Sequence, residues 1–594
     1  MPKSFKQWWR INRELLNKKS RLTSIPTLRD DGKWLVNLKS KADAFANTFS
    51  LKSELPPEAV DTPYFGQPDV EWHDFIVFRS RKCSSLFKAL DVSKATGHDK
   101  ISAAILKRLH KVLAVPFTIV CRRLFIEGCW PSVWKYHLVV PIFKRGAAFK
   151  PSNYRGVHLT TILSKIAEKM VALQLTPFLQ RKAFGANQWA FSTGLSARDL
   201  VTMLIMSWIL AVCTGKKVGA FLSDISGAFD RVFKPYMLAK LHACGVGATF
   251  LNFLDAYLAP RKGQVVVQGL YSNCFEIANS VFQGTVLGPP LWNTFFADVG
   301  TPASSTGGRE AMFADDLNVF QEFDRALPAH VCQEQLERCR KRVHSWGKAN
   351  RVSFDASKEH MIILHPSESM GEPFKLLGCM VDVNLRMQSA VEQVLSKIRP
   401  KVTAILRTRG YYTTQELILQ FKTHVWGLIE TNMAGYSHAA PSLLEKIDDV
   451  HYRFLRDLEV SSSDAFLEHA FAPPSLRRNL GILGLIHKRV IGKCHPSFDR
   501  LLPWWTSKFS EPRGRGHNKQ LYGHWVEISH HQAIFQRSIF GMVDVYNDLP
   551  QGVVDSPSVS SFQHSLTHIV RTRCQLQDAD WASSFSRRAF TETS

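Results

Sequence analysis

The sequence predicts an α+β fold that passes into a mostly helical C-terminal region. Three observations predict it. From Leu86 to about Leu385, apolar segments alternate between strand and helix periodicity without long gaps. After about Gln388, long amphipathic patterns dominate (Val391 to Arg409, Thr414 to Tyr436, Leu443 to Leu458). And two short apolar runs are bounded by aspartates, as strands reaching a sheet edge would be.

At 594 residues, 45% hydrophobic and 21% charged, the chain has ordinary globular composition and length for several packed units. Its formal charge of +24 favours a polyanionic partner, with nucleic acid the commonest for a large basic protein. The longest apolar run, Leu200 to Cys213, is too short to span a bilayer and reads as a buried helix. The basic, amphipathic N-terminus has no continuous apolar stretch behind it and is not a secretory signal. The eleven cysteines are scattered, with no Cys-x-x-Cys pair, which argues for a reducing compartment and against a disulfide framework or zinc knuckle. A soluble, intracellular protein without a membrane partner is expected.

Residues 1–85 read as a basic extension and linker. Lys3, Lys6, Arg10, Arg13, Lys18, Lys19 and Arg21 face Glu14 alone, either as a phosphate-contacting arm or as a solvated helix face, and Pro56 to Pro68 is a linker. Residues 86–385 are the alternating unit and 386–510 a helical one. A break at Glu511 to His517 precedes a last segment, 511–594, ending in a frayed Ser/Thr-rich tail.

Lys217 to Ser223 is a β-capable apolar run with Asp224 at its end, and Ser226-Gly227 turns the chain before a helix near Pro235. Asp after a strand also serves as a turn or cap residue, so this signal alone is weak. In Ala311 to Phe320, apolar residues flank Asp315-Asp316, and Leu317 and Val319 alternate with polar residues. A hairpin with both aspartates at its turn is expected. Two adjacent carboxylates between buried strands repel unless a cation neutralises them. Oxygen-only ligands suit Mg²⁺, and two such ions stabilise attacking and leaving oxygens in phosphoryl transfer.

The ordered set SDISGAFD (Ser223 to Asp230), FQGTVLGPPLW (Phe282 to Trp292), FADD (Phe313 to Asp316) and FKLLG (Phe374 to Gly378) resembles the reverse transcriptases of non-LTR, LINE-like retrotransposons. Upstream segments agree, among them PSNYRGVHLTTILSKIAEK (Pro151 to Lys169) and NQWAFSTGLSARD (Asn187 to Asp199), as does RSIFGMVDVYNDLP (Arg537 to Pro550) downstream. The resemblance implies a right-hand polymerase of fingers and palm (86–385) and helical thumb and connection (386–510). It implies RNA template, DNA primer or target DNA, and dNTPs as partners, and a nuclear location, with the cytoplasm the alternative.

The same resemblance implies roles. Asp224, Asp315 and Asp316 would bind two Mg²⁺ ions, for which Mn²⁺ would substitute, with the Ile225 carbonyl beside them. Phe229 would be the aromatic gate that excludes a ribose 2′-hydroxyl by clash. Gln283 and Gly284 would lie along the incoming nucleotide and template base. Lys144 and Arg155 would grip the triphosphate, with Arg145 a substitute for Lys144. Lys358 would protonate the leaving pyrophosphate. Lys397, Arg399, Lys401, Arg407 and Arg409 would face the duplex, and Tyr411-Tyr412 would either stack on bases or be buried.

Two departures, Gly156 for a usual proline and Ser192 for a usual basic residue, would loosen the fingers. Residues 1–85 are too few for the endonuclease that relatives carry, so a polymerase part without its nicking domain is expected. The competing readings are an RNA-dependent RNA polymerase on the same palm, disfavoured by Phe229 and Ala314, a maturase, disfavoured by the Phe313 to Asp316 motif and the Arg537 to Pro550 segment, and a catalytically silent nucleic-acid-binding remnant.

Overall fold

A computed structural model describes residues 25–56, 65–66, 73–506 and 517–587. The basic arm at residues 3–21, most of the Pro56 to Pro68 stretch, most of the 511–517 break and the last residues of the tail lie outside them.

Strands β1 (Leu28–Asp30) and β2 (Lys33–Leu35) make a hairpin. β3 (Tyr136–Phe143) pairs antiparallel with β4 (Tyr154–Leu159). Four strands form the central sheet: β5 (Lys216–Asp224), and beyond a second sheet's strands β6 (Arg261–Val267), β7 (Leu270–Tyr271) and β8 (Phe275–Ile277), then β9 (Arg309–Phe313), β10 (Asp316–Asp324) and β11 (His360–Leu364). The central order is β11-β5-β10-β9, antiparallel throughout. β6 joins β3 in parallel and carries β7 and β8, completing the second sheet. A small hairpin, β12 (Phe374–Leu376) and β13 (Cys379–Val381), follows.

β5 is apolar on both faces because both are covered. Val218, Ala220 and Leu222 enter one core and Phe221 the other, the two-residue alternation of a strand. The first face meets the helix Ala197–Cys213, capped by the Ser196 side chain and buried nearly all round. That all-round burial explains an apolar run too short for a membrane. The second face meets the helix Ala329–Ala349 through Cys332, Leu336, Cys339 and Val343, which recur at helical spacing on one side of it. At Gly219 a Cβ would stand 2.5 Å from the Phe323 ring and 3.2 Å from Leu336, so glycine is what lets that helix approach.

The helices Gln388–Leu406, Pro441–Asp457, Pro474–Val490 and Val559–Gln575 dominate the C-terminal region. The expected helix from Thr414 to Tyr436 forms with a π-helical turn at Lys422–Trp426 inside it. One apolar core runs from Trp189 through these helices to Leu566, so residues on either side of positions 385 and 510 share their packing. Phe540, Met542, Val543 and Tyr546 of the Arg537 to Pro550 segment are buried in it. Near the start, Ala42 and Phe45 of the helix Leu38–Lys52 pack on Val139, Tyr154 and Val265, which builds part of the 1–85 stretch into the second sheet.

Gly156 does not loosen this sheet. A Cβ there would stand 2.8 Å from Val139 Cγ1 and 3.2 Å from the Phe49 ring, so the residue makes room for Phe49 to cover the strand. All eleven cysteines are free thiols. Among the described residues no helix is long and apolar enough to cross a membrane.

Candidate active site

The carboxylates meet because of strand register. Asp224 ends β5, Asp316 opens β10, and the two are direct partners across the antiparallel pair. β9 and β10 close a tight hairpin through Ala314-Asp315, with Phe313 opposite Asp316. The sequence placed both aspartates at the turn; Asp315 is there, whereas Asp316 is already the first residue of its strand. The backbone continues from Asp224 into Ile225, buried and bridged to Phe354, and the Asp224 carbonyl accepts the Asp355 amide at 2.9 Å.

Three carboxylates this close disturb one another. Burial, then the charge of Asp224, raises the Asp315 pKa, against Arg155 and Lys144. Asp316 is pushed up to about 7 by burial, then by Asp315 and Asp224, against Lys358 and Lys144. The cations of the site are set by this field. Burial, then Arg155, Lys358 and Arg145, lowers the Lys144 pKa, with Asp224 opposing. Burial works against charge on Lys358 as well, but hydrogen bonds to Asp224 and Asp355 outweigh it and its pKa rises.

Lys358, on the short turn Ala356–Lys358, is ion-paired to the Asp224 carboxylate and lies 3.0 Å from Asp355. Lys144 follows β3, its amide donating to the Asn153 carbonyl at 2.9 Å, and Arg155 lies next door on β4 with its side chain exposed. From the second sheet, the Lys144 and Arg155 charges act on the carboxylates.

The donor chemistry fits a divalent cation: carboxylate oxygens only, at one sheet edge, with Asp315 and Asp316 raised by burial and then by neighbouring negative charge that a cation would offset. Among the described residues, no three His, Cys, Asp or Glu side chains stand in closed coordination geometry. Asp224 is held by the Lys358 ammonium instead.

Phe229 sits half-buried on the turn Ala228–Asp230, stacked on Trp292 with centroids 5.7 Å apart and an interplanar angle of 24°. The Phe229 carbonyl accepts from the Val281 amide at 3.0 Å and the Ser280 hydroxyl at 2.9 Å, which joins it to the loop bearing Gln283 and Gly284. The Gln283 carbonyl accepts the His158 amide at 3.2 Å. Gly284 has φ 104°, and a Cβ would stand 3.1 Å from the His158 carbonyl oxygen, so glycine is required there.

Sequence reasoning missed the network beneath this loop. Glu168 is fully buried and accepts the Val286 amide at 2.6 Å, the Leu287 amide at 3.1 Å and the Tyr257 hydroxyl at 3.3 Å. Arg261, also buried, lies over Phe282 at 3.8 Å and donates to the Tyr257 carbonyl and to His137 Nε2, both at 2.8 Å. His137 Nδ1 is 3.0 Å from His158 Nδ1, and burial followed by Arg261 lowers both histidines, His158 to about 4. With Nε2 accepting from arginine, neutral His137 carries its proton on Nδ1 and donates to His158. The available signal was Glu168 set among the buried Ile166, Ala167, Met170 and Val171 of one helix.

In the helical region, Arg399, Arg407, Arg409, Lys446, Arg453 and Tyr411 line a groove of about 1110 Å³. Lys397 and Lys401 do not line it. Tyr411 is 80% exposed, whereas Tyr412 is half-buried, so the tandem tyrosines divide between the two expected states.

Residues 142–381 match the reverse transcriptase (RNA-dependent DNA polymerase) family. The chain carries a reverse transcriptase domain of the LINE-like kind. Every candidate residue from Lys144 to Lys358 lies inside that span, and the domain has the polymerase palm fold. A probable RNA-directed DNA polymerase from transposon X-element of Drosophila melanogaster is 24% identical over 52% of this chain and 36% of its own length. The RNA-directed DNA polymerase from mobile element jockey of the same species is 24% identical over 75% of this chain and 51% of its own. A probable RNA-directed DNA polymerase from its transposon BS is 25% identical over 52% and 35%. The chain thus spans about a third to a half of the length of these relatives.

Proposed function

We propose that the chain is an RNA-directed DNA polymerase of a LINE-like retrotransposon that extends a primer 3′-hydroxyl with dNTPs. The observation that carries this reading is the register of Asp224 with Asp316, which places them and Asp315 at one sheet edge within reach of Lys144, Arg155 and Lys358. Two Mg²⁺ ions held there by the three aspartates and the Ile225 carbonyl, or Mn²⁺ in their place, would supply the Lewis acidity for in-line displacement at the α-phosphate.

The chain's own residues do the rest. Arg155 binds the triphosphate as a fork and Lys144 as a point charge. Phe229, backed by Trp292, excludes a 2′-hydroxyl. Gln283 and Gly284 give the nucleotide and template base a surface of fixed backbone. Lys358, protonated at Nζ, delivers its proton to the leaving pyrophosphate. Residues 86–385 act as fingers and palm, 386–510 as thumb and connection with the Arg399–Arg453 groove along the duplex, and 511–594 as a C-terminal segment. DNA as target places the work in the nucleus.

Primer extension on a primed RNA template with Mg²⁺ tests the reading, with Asp315→Asn as control and circular dichroism to show that the variant folds. Extension by the wild type alone supports it. A folded wild type that extends no primer with any template or metal overturns it.

A further inference from the structure

Ala314 is in the left-handed region, with φ 57°, at the first turn position before Asp315. Glycine is the ordinary residue for that conformation in a tight hairpin. A side chain there costs on the order of 1–3 kcal/mol and persists only where the surroundings dictate it.

The surroundings do. Gln188 Oε1 accepts the Ala314 amide at 3.0 Å, and Gln188 Nε2 donates to the Ala314 carbonyl at 3.4 Å. Trp292 Nε1 donates to the same carbonyl at 3.1 Å. Both polar backbone groups of one residue are therefore held by side chains distant in sequence.

The two clamps are themselves fixed. Gln188 is buried, and its Oε1 also accepts the Ala190 amide at 3.0 Å, which sets the orientation of its amide. Its neighbours bind the strand leading into the turn: Met312 donates to the Asn187 carbonyl at 2.8 Å, and Trp189 donates to the Met312 carbonyl at 2.9 Å. Trp292 is fully buried between Phe229 and Phe296, with centroid distances of 5.7 and 5.5 Å. The ring that backs the gate is the ring that holds the carboxylate turn.

We propose that Gln188 and Trp292 are positioning residues that pin Ala314 in its left-handed turn and thereby aim the Asp315 carboxylate. A side-chain amide is suited to the task because it offers a donor and an acceptor in one plane. Glutamate, its isostere, has no donor for the carbonyl and adds a negative charge near three others. The inference rests on the polymerase reading of Asp315, and its test is chosen to separate the two.

The variants are Gln188→Leu, Gln188→Glu and Trp292→Phe, each alone and with Ala314→Gly. The readouts are primer-extension kcat, KM for dNTP, and Mn²⁺ affinity by electron paramagnetic resonance. Gln188→Leu is expected to lower kcat about 10- to 100-fold with KM changed less than about 3-fold, the effect of misaiming a reacting group. Mn²⁺ affinity is expected to fall about 10-fold, as for loss of a partner that orients a metal ligand. Gln188→Glu should be worse and Trp292→Phe milder.

Ala314→Gly should restore most of the Gln188→Leu loss, since glycine takes the turn unaided. That rescue is what a merely structural role would not produce. Wild-type kcat and Mn²⁺ affinity in Gln188→Leu, or a loss that Ala314→Gly leaves untouched, would overturn the proposal. If Gln188→Leu does not fold, Trp292→Phe decides, because it keeps a ring and deletes one N–H. A wild type inactive on every template refutes the polymerase reading, while the Mn²⁺ measurements still judge the clamp.

Discussion

Asp224 and Asp316 stand directly opposite each other across the β5–β10 pair, and the Lys358 ammonium is bound to the first of them. Carboxylates so placed oppose one another's ionisation, which is why burial and neighbouring charge push Asp316 up to about 7. The arrangement holds a charge repulsion that folding alone would not select, and a function that needs those charges accounts for it.

Removing one carboxylate should separate activity from stability. Asp315→Asn is expected to reduce primer extension at least about 10³-fold, the scale of losing a group that stabilises transition-state charge. Its melting temperature should equal or exceed that of the wild type, since a repulsive partner is gone. Extension assays beside thermal denaturation check this, and a marked fall in melting temperature would count against the electrostatic account.

Phe229 predicts a change of sugar rather than a loss of rate. Its ring is buttressed by Trp292, so truncation opens space without moving the backbone that binds Ser280 and Val281. Phe229→Val should raise ribonucleotide incorporation relative to dNTPs by about 10- to 200-fold, the range for a single steric contact. Parallel single-nucleotide incorporation measures the ratio; unchanged discrimination removes Phe229 from the gate.

What was legible in the sequence is what local pattern encodes. Asp224 stands at the end of its apolar run and Asp315 at its hairpin turn, where local pattern put them, while Asp316, expected at the turn, opens its strand. Phe229, Gln283 and Arg155 carried no such signal and stood out only through resemblance. Glu168 and Arg261 were illegible because each makes sense only beside the other's neighbours, far apart in the chain. Gln188 lies in the Asn187 to Asp199 motif, yet its role is hidden there because its partner is the backbone of Ala314, a conformation that no residue pattern displays.

The Glu168 network predicts a large stability effect far from the chemistry. Glu168→Leu would leave the Val286 and Leu287 amides without their acceptor and remove a buried carboxyl whose charge favours that of Arg261. Breaking one side of a buried ionic arrangement costs about 3–5 kcal/mol. Chemical denaturation should show that loss. The loop of Gln283 and Gly284 should also loosen, read as a rise in KM for dNTP in whatever fraction stays folded.

Gly156 predicts a steric cost with a cure. Gly156→Ala puts a Cβ 2.8 Å from Val139 Cγ1 and 3.2 Å from Phe49, and overpacking of this kind costs about 1–3 kcal/mol. Val139→Ala in the same chain should recover much of it, giving a coupling that denaturation of the two single variants and the double variant measures. Additive losses would show that the sheet yields elsewhere.

Asp230 sets a pH dependence of stability. Burial pushes its carboxyl up to about 6, against Lys52, Arg155 and Arg231, from an ordinary value of 3.8. The folded chain therefore holds this proton more tightly than the unfolded chain does. Its favourable contribution is full below pH 3.8 and is lost as pH rises through about 6. Asp230→Asn carries no such proton, so its stability relative to wild type should climb between those values and level off above. The gain at neutral pH should be on the order of 1–3 kcal/mol, discounted for the water that the side chain still meets. Denaturation midpoints of both proteins from pH 4 to 8 would show the gap opening from the acid end and levelling off above about 6; a constant gap, or one that closes with rising pH, would mean that Lys52 and Arg155 hold Asp230 ionised in the folded chain.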